Sequence, residues 1–99
     1  MASPDEALTR AVRLARDGDW QGAHEIVQRH EGEACADWLH AVIHRIEGDL
    51  GNARYWYRRC GRPQPENEAP QVELARIAEA LSKTRAKKGA AARRRGTAK

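Results

Sequence analysis

The chain contains no phenylalanine, and its three tryptophans and two tyrosines bring the aromatic share to only 5% of 99 residues. A core must therefore come mainly from alanine, leucine, isoleucine and valine, with Trp20, Trp38 and Trp56 as its large anchors. Cysteine is nearly absent too. Cys35 and Cys60 are too few for a disulfide framework and too far apart for a metal knuckle, so reduced, packed thiols are expected. No apolar run approaches the roughly 20 residues that span a bilayer, and the amino terminus lacks a basic-then-apolar leader pattern; the expectation is a soluble, cytoplasmic protein. No nucleophile elbow, phosphate loop, carboxylate dyad or Ser/His/Asp order is found, which disfavours enzymatic activity.

What is present is charge. Hydrophobic residues make up 40% of the sequence and charged residues 32%, with a mean hydropathy of −0.84, which leaves room for one small domain and a polar extension. The net charge of +4 is divided unevenly. Residues 1–82 hold ten Lys/Arg and all fourteen Asp/Glu, a balance of −4, whereas residues 83–99 hold eight Lys/Arg and no acid, a balance of +8. The boundary is placed there: a domain over 1–82 and a basic tail over 83–99, expected to be disordered because it has no apolar face to bury. Lys83, Arg85, Lys87, Lys88, Arg93, Arg94 and Arg95 could neutralise phosphates and bind nucleic acid without regard to sequence.

An internal echo organises the remainder. Ala11-Val12, Gly18-Asp19, Ala23 and Ile26-Val27 recur as Ala41-Val42, Gly48-Asp49, Ala53 and Trp56-Tyr57 at a constant offset of thirty residues. Each copy has two helix-length periodic segments split by Gly-Asp, in which the glycine can turn left-handed past one helix and the aspartate can cap the next. Ser3-Pro4-Asp5-Glu6 marks the first helix start near residue 4, and that helix runs to about Asp17. Leu8, Ala11, Val12 and Ala15 share one stripe; Ala23, Ile26, Val27 and His30 share the next. Trp38, Leu39, Val42, Ile43 and Ile46 face Ala53, Trp56, Tyr57 and Cys60 in the second copy, where the core is heaviest. A proline-punctuated link, Arg62–Ala69, leads to Pro70 and a last helix whose Leu74, Ile77, Ala78 and Leu81 cover the open side of the second hairpin. The fold class expected is all-α, two antiparallel helix hairpins with a C-terminal capping helix.

Ala11, Gly18, Asp19, Trp20 and Ala23 in the first copy, and Ala41, Gly48, Asp49, Ala53 and Tyr57 in the second, resemble the tetratricopeptide repeat across residues 5–60, with 70–82 similar to its extra capping helix. The period departs from that family's thirty-four residues, and Arg10, His40 and His44 stand where it prefers large apolar side chains. The resemblance implies hairpin stacking and a small concave surface for a protein partner.

Three residues could carry chemistry on the third helix. His40, His44 and Glu47, at i, i+4 and i+7, share one face, and helical arithmetic sets it opposite Trp38/Val42/Ile46, toward solvent or a groove. Two imidazoles and a carboxylate suit a zinc- or nickel-type site, with His24 and His30 as further ligands, although the glutamate lies outside the pair, unlike HExxH. On the fourth helix Arg54, Tyr55 and Arg58 have the composition of an interface hot spot. The leading expectation is thus a non-enzymatic helical-repeat module that binds another protein through His40, His44 and Glu47 or through Arg54, Tyr55 and Arg58. No cofactor or resident metal is called for in that reading, and an open hairpin edge favours self-association. The rival readings are nucleic-acid binding by the tail and a metal or acid-base site at His40/His44/Glu47.

Overall fold

A computed structural model describes the backbone of residues 4–97 and the side chains of residues 4–83. Its elements are α1 (Pro4–Arg16), α2 (Trp20–Gln28), α3 (Ala34–Glu47), α4 (Leu50–Arg59) and α5 (Pro70–Thr97), with no strand among the described residues. The protein is all-α, as the periodicity requires.

The two Gly-Asp turns do the same local work. Gly18 (φ +95°) and Gly48 (φ +84°) take the left-handed conformation in which a side chain is strained. Around Gly48, its own N–H donates to the Arg45 carbonyl and the Asp49 N–H donates to the His44 carbonyl, which satisfies the end of α3. Asp19 and Asp49 then accept from the backbone N–H of Gly22 and Asn52, starting α2 and α4. Gly48→Ala is expected to cost about 1–2 kcal/mol, because the left-handed backbone and not a clash is what favours glycine there; a urea titration measures it.

α1 packs on α2 and α3 on α4 across these short turns, and α3 also meets α1, α2 and α5. Neighbours surround it, so Ala36 through Ile43 are all buried, polar residues included. Leu8, Val12, Val27, Leu39, Ile43, Leu74, Ile77 and Leu81 complete one continuous core. Trp38 and Trp56 anchor it as expected, whereas Trp20 is only half-buried and packs at its border.

Several sequence expectations change. α5 lies against α1 and α3, the leading helices of both pairs, rather than over the second pair alone. It also passes the boundary placed at residue 82 and runs to Thr97. Lysine, arginine and alanine are good helix formers, and a helix already nucleated by its packed first turns propagates readily into such a sequence. The proposed cap Ser3 lies outside the described residues. Cys60 is half-buried, with its thiol donating to the Tyr57 carbonyl at 3.4 Å, and burial raises the pKa of both Cys35 and Cys60.

Candidate metal centre

The face carrying His40 and His44 does not look outward. His40 is 3% exposed and stacks on Trp56 of α4, ring centroids 3.9 Å apart, and His44 stacks on His40 at 5.0 Å. The helical arithmetic correctly separates these histidines from Trp38, but α3 is covered on that side as well, by α2 and α4. Glu47, at the end of the same face, is the member that does reach solvent.

His24 on α2 completes the cluster. Its Nε2 lies 2.9 Å from Nε2 of His40, a hydrogen bond in which one ring must donate and the other accept, and its ring meets His44 edge-on at 5.2 Å. One ligand atom from each of His24, His40 and His44 lies within 4.8 Å of the others. In a tetrahedral zinc centre with Zn–N bonds of about 2.0–2.1 Å, neighbouring donors stand about 3.3 Å apart, so the three nitrogens stand wider than the donors of one ion and the near-parallel His40 and His44 rings would have to turn as well as approach to share it. Glu47 is not part of that group; it stands behind His44, with Oε1 3.4 Å from Nδ1. His30, also offered by the sequence as a ligand, stays out of the group, half-buried at the end of α2's turn rather than in the core.

The electrostatics suit a neutral, metal-ready set. Burial first, then the neighbouring His24 and His44, hold the His40 pKa down to about 3 from 6.5. Burial also lowers that of His44, against the pull of Glu47. At neutral pH both rings are therefore uncharged, the form that binds metals. Nδ1 of His40 and Nδ1 of His44 are buried without a hydrogen-bond partner. Buried polar atoms are rarely left so, and functional sites are where the exceptions concentrate.

Other expected site residues are scattered. Tyr55 is 50% exposed on α4, receives a 3.4 Å hydrogen bond from Arg59 and sits edge-on to Trp56, while Arg54 and Arg58 are exposed beside it. None of them joins the histidine cluster. Lys83 is exposed and pairs with Glu79 at 3.3 Å. The side chains of Arg85, Lys87, Lys88, Arg93, Arg94 and Arg95 lie outside the described residues.

A second polar centre gathers residues that no spacing in the sequence groups together. Glu73 of α5, 2% exposed, accepts hydrogen bonds from Trp38 Nε1 at 2.9 Å, from the Tyr57 hydroxyl and from Arg45, whose guanidinium also donates to the Glu68 carbonyl. Burial and the bond to Glu73 raise the Tyr57 pKa. This network ties α5 to α3 and α4, which is a structural task.

No family model matches the chain, and no curated protein or solved structure is significantly similar to it.

Proposed function

We propose that the protein is a helical metal-binding domain that holds a divalent transition ion, zinc foremost, on His24, His40 and His44. The observation that carries this reading is that three imidazoles from two helices bring a nitrogen each within 4.8 Å of one another, around the buried His40. Three nitrogen donors fit a borderline ion with tetrahedral preference, with the fourth position left to water or another ligand. Calcium and magnesium, which take oxygen ligands, are disfavoured. Such an ion would join α2 of the first helix pair to α3 of the second.

Calorimetric titration of zinc into metal-free protein at pH 7.5 tests it. The parent is expected to bind one ion per chain, and His24→Ala, at a half-buried position and checked by circular dichroism to be folded without metal, is expected to weaken binding at least tenfold. Free zinc at 100 times its Kd should raise stability by about 2.7 kcal/mol in the parent. Equal zinc binding by the parent and His24→Ala would remove the proposal.

A second reading, a protein-binding module, has its own support on α4. Leu50 is 55% and Tyr55 50% exposed, and with Arg54 and Arg58 they combine apolar area with directed donors. The thirty-residue recurrence of helix, left-handed glycine and capping aspartate is what favours a divergent tetratricopeptide-like pair as its scaffold.

A further inference from the structure

We infer that Glu47 is the positioning residue of this site: it takes the Nδ1–H of His44 and so turns the Nε2 of that ring toward the metal. The inference rests on the metal-binding reading of His24, His40 and His44. A ligating imidazole commonly gives its second N–H to a carboxylate, which fixes the tautomer and makes the ligand more basic. His44 Nδ1 is buried and lacks a hydrogen bond, yet two carboxylates stand within reach of it, Glu47 Oε1 at 3.4 Å and Asp49 Oδ2 at 3.9 Å. Asp49 is already engaged, because it caps α4 and accepts from both the backbone and the side-chain nitrogen of Asn52. Glu47 is therefore the carboxylate available to His44.

The position of Glu47 is otherwise unfavourable. It is the last residue of α3, where the helix dipole is negative and a cation is preferred. A carboxylate kept against a local rule points to a task beyond helix stability. If Glu47 merely supported the fold, its neutralisation would lower stability; on helix-dipole grounds alone it would leave stability unchanged or raise it.

Zinc affinities of the full chain and of its Glu47→Gln and Glu47→Ala variants separate these roles, with cobalt(II) absorption as the second readout. Glu47→Ala is expected to bind zinc about 10–100-fold more weakly. Glu47→Gln, whose amide oxygen still accepts the Nδ1–H, should fall between it and the parent. The visible cobalt band should shift in both, while the urea midpoint of the metal-free variants stays at or slightly above the parent's. Three equal affinities, or a loss of affinity matched by a loss of metal-free stability, overturns the role of Glu47 while leaving the three-histidine site standing. Failure of the parent itself to bind zinc overturns both.

Discussion

Glu73→Ala is expected to destabilise the protein by about 3–5 kcal/mol, the cost of removing one partner from a buried ion pair. A small domain of this size has roughly 0.05–0.15 kcal/mol of stability per residue, so the loss takes much of the total. The cause is what stays behind. Without the carboxylate, the Arg45 guanidinium, the Trp38 Nε1–H and the Tyr57 hydroxyl all lose a buried acceptor. Urea unfolding followed by circular dichroism gives the value. Removing all the charges at once is predicted to be milder: Arg45→Met with Tyr57→Phe and Glu73→Leu leaves no orphaned charge, so the main remaining cost is about 1–3 kcal/mol for the Trp38 Nε1–H that still loses its acceptor. A Glu73→Ala loss below 1 kcal/mol would mean that water enters and solvates the network.

Acidification of the metal-free protein should have an effect of similar size. The His40 pKa is about 3 in the folded chain, held down mainly by burial, and near 6.5 once the ring is exposed by unfolding. Between those values the unfolded state binds the extra proton, so stability is fully present above pH 6.5 and declines as pH falls toward 3. At 1.36 kcal/mol per pH unit this amounts to about 2 kcal/mol by pH 5 and ~5 kcal/mol at the acid limit. The lowered His44 pKa acts in the same direction. Urea midpoints at pH 7.5 and 5.0 check the sign, and His40→Gln should flatten the difference. A midpoint that holds or rises at pH 5.0 contradicts the account. Zinc, which binds the neutral rings of the folded state, should raise the urea midpoint of the parent at pH 7.5.

The contrast between Gly48 and Glu73 shows where sequence reasoning reaches. Gly48, Asp49 and Pro70 act on residues within a turn of themselves, so their chemistry predicts the helix limits, and the structure has α4 and α5 starting where that chemistry places them. Glu73 draws its partners from Trp38, Arg45 and Tyr57 on two other helices, and no local periodicity announces such a meeting. The candidate metal centre lies between these cases. His40 and His44 are legible as a pair because i and i+4 share a helix face whatever surrounds it. Their burial is not legible, since it depends on α2 and α4 closing over that face, and His24 and His30 stand equally as further ligands in the sequence until the packing of α2 on α3 selects His24. Glu47 read as a ligand from spacing alone; the geometry sets it one layer back, behind His44.

α3 is enclosed by four other helices and carries members of both polar clusters, His40 and His44 in one and Trp38 and Arg45 in the other. An aliphatic rod in such a cage could roll or slide to neighbouring settings of nearly equal energy, because methyl and methylene groups interlock without direction. Imidazole nitrogens, an indole N–H and a guanidinium admit one set of counterparts. The two clusters act like teeth in a keyway: they fix the azimuth and depth at which the central rod seats, and give a small, aliphatic interior a single arrangement.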